Sequence, residues 1–291
     1  ATGELRLACG TGNRRIGDVR IVDPLTGGEA LLVIDVGSKV LALAFFPDPA
    51  TGALRLACGC YDGKVRIFDP VAGGEALLVL DAGSEVVDLV AFEDLATGAP
   101  QLACGSGGYN ENNWKVRVFD PVAGGEALLV LNIGSYVRSL AVFEEPATGA
   151  PRLACGTGGY ECGDVRVFDA VSGGDALLVL DVGNKVNALV AFKDLATGAL
   201  RLASGSDDSK VRVFDAATGG KALVVLEGHS SRLVALTAFT DPATGEPRLV
   251  SGSGGGISVW NPAASGTAIE AEPEGHSKDV NALVTFVDPA T

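Results

Sequence analysis

Residues 228–272 read GHSSRLVALTAFTDPATGEPRLVSGSGGGISVWNPAASGTAIEAE. The run 233–239 (LVALTAF) predicts a first β-strand, and Asp241-Pro242-Ala243-Thr244-Gly245 after it presets turn dihedrals. Residues 248–253 (RLVSGS) predict a second strand, with small residues where neighbouring sheets must approach closely. Gly254, Gly255 and Gly256 make a tight hairpin, and 257–260 (ISVW) alternates at period two as a third strand. Asn261-Pro262 turns the chain and 267–272 forms a weaker fourth strand, which other copies write more strongly as 76–80 (ALLVL) and 222–226 (ALVVL). No segment has a helical period. The unit is four short antiparallel strands.

This unit recurs along the chain. The tract Thr-Gly-x-x-x-Leu begins at Thr2, Thr51, Thr97, Thr148, Thr197 and Thr244, and Thr291 stands where a seventh copy would start. The spacings are 49, 46, 51, 49, 47 and 47 residues. A period of this size marks an array in which one supersecondary unit cannot bury its own faces and its neighbours must do so. The expected architecture is all-β: a single six-bladed β-propeller over 1–291, built from four-stranded antiparallel blades. The N-terminus opens on a second strand (4–10), then a third (19–22) and a fourth (30–34), and the C-terminus ends on a lone first strand (280–287). One closing blade, 1–34 plus 279–288, is therefore expected to be shared by both ends, which removes two open sheet edges. The chain holds no Met, so an initiator was removed or the sequence is an excerpt of a longer polypeptide.

The unit resembles the WD repeat: a Gly-His pair before the first strand, then Ser-Gly-Ser-x-Asp, then a β-branched strand ending in Trp-Asp. Gly228-His229 and Gly275-His276 match the opening pair. Ser204-Gly205-Ser206-Asp207-Asp208 followed by Val211-Arg212-Val213-Phe214-Asp215 matches the rest, with Phe for Trp. The likeness covers all six units. In the other four, Ser38, Ser84, Ser135 and Asn184 replace the His, and across the six units the closing pair is Val22-Asp23, Phe68-Asp69, Phe119-Asp120, Phe168-Asp169, Phe214-Asp215 or Trp260-Asn261. The family's His–Ser–Asp–Trp hydrogen-bond network is therefore expected to be incomplete in every blade, leaving packing to hold them. Even the unit with both His229 and Trp260 has Gly254 where the turn Asp belongs.

Composition sets the outer limits. The 291 residues include 40 Gly and 13 Pro, which suits strands joined by tight turns, and no apolar run approaches the ~18 residues of a membrane helix. A net charge of −14 argues against a nucleic-acid or anionic-membrane partner and is compatible with a basic protein partner or with plain solubility. Cys9, Cys58, Cys104 and Cys155 occupy equivalent places in successive units, where the remaining two carry Ser204 and Ser251. Equivalent atoms one sheet spacing apart, ~10 Å, are beyond disulfide reach. With two His and no CxxC pair, no metal or other cofactor is expected. Free thiols as small core residues point to a reducing, intracellular, cytoplasmic setting.

The repeats differ mainly between second and third strands. Residues 69–80 (DPVAGGEALLVL) recur letter for letter at 120–131, yet 11–18 (TGNRRIGD), 106–115 (SGGYNENNWK) and 157–164 (TGGYECGD) are lengthened. Propeller geometry puts these loops on one face with the loops before each first strand. That face collects Arg14, Arg15, Tyr61, Tyr109, Trp114, Tyr136 and Tyr160, residue types enriched at interface hot spots. The readings are a partner-binding face, or drifted loops whose aromatic residues cap their own blades.

Other candidates point to structure rather than chemistry. The ladder Arg20, Arg66, Arg117, Arg166 and Arg212 fits stacking on the blade aromatic or pairing with an Asp. Glu270, Glu272 and Glu274 read as a solvated loop or a basic-partner dock, and Gly252 to Gly256 lacks the Lys-Ser/Thr and helix of a phosphate loop. His229 and His276 have no positioned nucleophile or carboxylate, so no enzyme is expected. The leading expectation is a non-enzymatic scaffold binding a protein or peptide, as a monomer or as a subunit of a larger complex. The alternative is an assembly subunit that self-associates or packs through apolar rim strands such as 30–34, 76–80 and 176–180.

Overall fold

The computed structural model describes residues 6–13, 15–108, 113–159, 162–195, 197–263, 270–271, 280 and 282–283. The described residues are all-β: six antiparallel sheets in chain order, five of four strands and the first of three, consistent with a six-bladed propeller. The second sheet shows the plan, with strands Val40–Pro47, Leu54–Cys60, Lys64–Phe68 and Leu78–Asp81 running from its inner to its outer edge. Four of the sheets carry a β-bulge at the start of the first strand, at 41, 87, 187 and 234. Residues 1–137 with 171–173 form one compact unit, and 138–170 with 174–291 form another.

Each buried cluster is shared by two consecutive sheets. Ile21 and Ile34 of the first sheet pack with Val40, Leu56 and Phe68 of the second. Phe46, Ile67 and Leu80 of the second pack with Val86, Leu102 and Phe119 of the third. In the other unit, Phe143 and Leu180 meet Leu202 and Phe214, and Val213 and Leu226 meet Leu249 and Trp260. The aromatic residue that closes the third strand therefore fills the space against the preceding sheet. Approach this close needs a missing side chain. A Cβ on Gly10, Gly59 or Gly156 would stand 2.6–2.7 Å from Cγ1 of Val40, Val86 or Val186 at the head of the next sheet.

Of the segment predicted as a closing strand, 280–287, only Val280, Ala282 and Leu283 are described, and the rest lies outside the described residues. Val280 and Leu283 lie against Gly252 as Val40 and Leu43 lie against Gly10. The Val280 amide donates to the Ser253 carbonyl at 3.3 Å, matching the bond of 3.2 Å from Val40 to Thr11.

Polar networks hold the sheets as well as packing does, which corrects the sequence-based expectation. The Arg ladder pairs with turn carboxylates: Arg66 with Asp62 at 2.7 Å, Arg166 with Asp164 at 2.9 Å and Arg212 with Asp208 at 2.6 Å. A second arginine set went unread in the sequence. Arg55 joins Asp48 at 2.9 Å to Asp69 at 3.2 Å, and Arg152 joins Glu145 at 2.6 Å to Asp169 at 2.5 Å. These arginines tie the first turn of each unit to the turn after its third strand. The same aspartates cap their turns, Asp69 accepting from the amides of Val71 and Ala72, and those amides hold its carboxyl below the usual range.

The sixth sheet lacks both members of the ladder pair, having Gly254 and Ser258, and bonds differently. Ser251 Oγ lies 2.6 Å from His229 Nε2 and accepts from Trp260 Nε1 at 2.7 Å. Ser253 stands in for the expected aspartate, its Oγ 2.9 Å from His229 Nδ1. Where neither His nor Trp is present, the Ser251 position is Cys58, Cys104 or Cys155, each fully buried. Burial pushes the Cys104 thiol up to about 12, keeping it neutral. Cys9 and Cys162 are exposed. Ser204 is the exception, buried with no hydrogen-bond partner among the described residues.

Gly59→Ala should lower stability by about 1–3 kcal/mol through overpacking. Gly205→Ala should cost less, because its added Cβ would meet Leu233 Cβ at 3.3 Å; urea unfolding of both variants checks the order. Ser204→Cys should raise stability by about 1 kcal/mol by removing a stranded hydroxyl, whereas Ser251→Cys should lower it by about 1–3 kcal/mol. Calorimetric melting of the two variants measures the contrast.

Candidate functional site

In four of the sheets the second-to-third-strand loop is closed at its base by a hydroxyl at or just past the end of the second strand. Thr11 Oγ1 donates to Asp18 at 2.6 Å, and Ser106 Oγ lies 2.7 Å from the Asn113 carbonyl and 2.9 Å from that of Lys115. Thr157 Oγ1 donates to Asp164 at 2.5 Å, and Ser206 pairs with Asp208. In four of the sheets the far end of the loop then bonds the segment before the next first strand. The carbonyls of Gly17, Gly63 and Trp114 accept from the amides of Val36, Ala82 and Ile133 at 2.8–3.0 Å. In the other unit Gly163 accepts from Val182 at 3.3 Å. Loop insertions are thus carried on fixed bases, contiguous with the neighbouring pre-strand loops.

The candidate residues divide by what they touch. Arg15 is exposed on a turn held by Asn13, whose side chain accepts from the amides of Arg15 at 3.0 Å and Ile16 at 3.3 Å. Ile16 beside it is also exposed. Tyr61 is half-buried, its amide bonded to the Lys39 carbonyl at 2.9 Å. Trp114 and Tyr136 come together on one loop: Trp114 Nε1 donates to the Gly108 carbonyl at 3.1 Å, and the Tyr136 ring covers Gly107. Tyr136 Oη reaches Glu85 at 3.3 Å, and Ser84 Oγ donates to the Gly107 carbonyl at 2.6 Å. Both rings are half-buried, pinned at their polar tips and partly open to solvent. Arg14, Tyr109 and Tyr160 lie outside the described residues.

Sequence reading missed a polar chain in the second unit. Arg138 Nε donates to the Gly158 carbonyl at 3.2 Å and its Nη1 to Asn187 Oδ1 at 3.1 Å. Asn187 Nδ2 donates to Asp207 at 2.7 Å and to the Leu233 carbonyl at 2.8 Å, while Lys185 sits 3.5 Å from Asp207. Asn187 is a bulge residue, and its counterparts in three other units are Leu41, Val87 and Val234. Arg138 and Asn281 hold the same place in two further copies, so polar residues at a position that is apolar in three copies were the available signal. The bulge re-aims its side chain.

His229 is held rather than poised. Both ring nitrogens are within hydrogen-bond distance of serine hydroxyls, the ring lies 5.7 Å from Trp260, and burial pushes its pKa below 6.5. Among the described residues no three His, Cys, Asp or Glu side chains converge as metal ligands.

Residues 32–69 match the family described as WD domain, G-beta repeat. That segment is one of six copies of the same strand-and-turn plan. The match and the repetition of its plan fit a WD-repeat β-propeller. The crystal structure of the computationally designed Ika8 protein is similar to it, with a TM-score of 0.59 and 28% identity over 86% of this chain. The match takes in 66% of the designed protein, just under two thirds of its length. No curated protein matches the chain. The WD-repeat pattern accounts for the meeting of His229, Ser251 and Trp260, and Ser253 bonds His229 where the turn carboxylate is absent.

Because folding desolvates His229 and lowers its pKa, the unfolded chain binds the proton more tightly. The contribution of neutral His229 should be complete above about pH 6.5 and lost as pH falls through its lower folded value. Between pH 7.5 and 5.5 the wild type should therefore lose more melting temperature than His229→Asn, a difference read by paired thermal scans.

Proposed function

We propose that this chain is a non-enzymatic scaffold that binds a protein or peptide partner through its second-to-third-strand loops and the adjoining pre-strand loops, in an intracellular, cytoplasmic setting. WD-repeat domains generally mediate protein–protein interaction. The observation that carries the assignment to these loops is their divergence on uniform bases. The strands and outer turns repeat nearly unchanged, while 11–18, 106–115 and 157–164 differ in length and bring in Arg, Tyr and Trp. Aromatic residues pinned at their polar tips lose little further freedom on binding, which favours their use as anchors. The net charge of −14 favours a partner with basic residues.

The test spares the two rings that brace their own loop. A variant with Arg15, Tyr61, Tyr109 and Tyr160 all changed to Ala should melt close to the wild type yet retain under about a tenth of its partner capture from lysate, measured by quantitative mass spectrometry. Undiminished capture by that folded variant overturns the loop assignment.

A further inference from the structure

The outermost strands carry a pattern that the loop reading does not use. Read at every second residue, their outward side chains are Glu29, Leu31, Val33, Asp35; Glu75, Leu77, Val79, Asp81; and Asp175, Leu177, Val179, Asp181. All twelve are exposed, the Leu and Val by 48–61%, while the alternate residues Ile34, Leu80 and Leu180 are buried against the next sheet. Each stripe is two apolar residues bracketed by carboxylates. It lies on a strand whose outer edge pairs with no other strand among the described residues.

The fourth sheet has the most complete form. Its outer strand Gly173–Asp181 is extended for 9 residues, so the whole stripe from Asp175 to Asp181 lies on regular strand. In the second and fifth sheets the outer strand is only Leu78–Asp81 or Val224–Glu227, 4 residues each. Compensation also differs. Lys64 lies 3.5 Å from Asp81 and Lys210 lies 2.5 Å from Glu227. The fifth sheet moreover begins its stripe with Lys221 instead of an acid. Beside the strand 173–181 opens a cleft of about 190 Å³, lined by Phe143, Glu145, Val167, Leu177, Leu178 and Ala217. The small Ala217 stands where other units have Val71 and Val122.

We propose that the edge strand Gly173–Asp181 is a docking site for an extended peptide segment of the pattern cation–x–apolar–x–apolar–x–cation, added as a fifth strand to the fourth sheet. Main-chain hydrogen bonds to a free edge supply affinity, and same-face side chains directly opposite one another supply selectivity. Two cations six residues apart span about 20 Å and meet Asp175 and Asp181, with the apolar pair over Leu177 and Val179. Antiparallel pairing of two copies of this chain would instead set Asp175 against Asp181 twice, and like charges opposite one another oppose that pairing. The occupant is therefore a basic partner segment.

The probe is a fluorescein-labelled peptide Lys-Thr-Leu-Thr-Val-Thr-Lys, titrated against the full chain by anisotropy, with the Glu-ended version as control. The Lys-ended peptide should bind, weaken about tenfold or more on going from low to high salt, and protect the amides of 175–181 from hydrogen exchange more than those of 223–227. Asp175→Lys with Asp181→Lys should lower affinity about tenfold, while Glu75→Lys with Asp81→Lys should change it less than about twofold. The loop variant with Arg15, Tyr61, Tyr109 and Tyr160 changed to Ala should bind the peptide normally, so the two surfaces fail separately. Absence of binding to the wild type, equal binding of the Glu-ended peptide, or protection as strong at 223–227 as at 175–181 overturns the proposal. Exchange on the wild type decides the matter even if the double-Lys variant does not fold.

Discussion

A short sheet that is apolar on both faces cannot cover either face itself, and each buried cluster in this protein is shared by two consecutive sheets. The closest contact in that arrangement is between the second-strand glycine of one sheet and the first-strand Val of the next, as at Gly59 and Val86. Without a Cβ at that position the strands can approach until the closing aromatic residues, Phe68, Phe119, Phe214 and Trp260, are almost wholly buried. Substitution is tightly limited at these positions and free in the loops beyond them. The near-identity of the strands and the divergence of the loops follow from that one constraint.

The polar groups beside this contact have two alternative solutions. In the second and fourth sheets a third-strand arginine pairs with a turn aspartate, and the neighbouring second-strand position is a buried cysteine that needs no hydrogen-bond partner. In the sixth sheet both the arginine and the aspartate are absent, and His229, Ser251, Ser253 and Trp260 bond one another. The buried Ser251 hydroxyl is met there by two ring nitrogens, whereas the equivalent Ser204 of the fifth sheet has no partner among the described residues. The WD signature is therefore complete in one sheet by a substitute and replaced in the others, rather than merely decayed.

Two kinds of surface result. The loops rest on bonded bases and hold Trp114 and Tyr136 by their polar tips, so recognition there would draw on side chains already in place. Three outer strands present backbone edges with carboxylates at both ends of an apolar pair, a chemistry that repels its own copy and attracts a cationic strand. One surface varies from repeat to repeat. The other varies less, chiefly in strand length and at Lys221 and Asn132.

The period of 46–51 residues, the four-strand plan and the turns at Asp-Pro and Thr-Gly were legible in the sequence, because backbone dihedrals and period-two burial are local properties. The small second-strand residues were read correctly as points of close approach. Sequence also marked Arg15, Tyr61, Trp114 and Tyr136, but not which of them spend their polar groups on the chain itself. The bridging role of Arg55 and Arg152, the stand-in by Ser253, and the chain from Arg138 through Asn187 to Asp207 join residues far apart in sequence or re-aimed by a bulge. So does the completeness of the acidic stripe at 175–181, which depends on how far an edge strand stays extended. Local pattern determined the strands and turns. Tertiary structure alone decided which polar groups met, because hydrogen bonds and ion pairs are set by distances of a few ångströms between segments that sequence spacing does not encode.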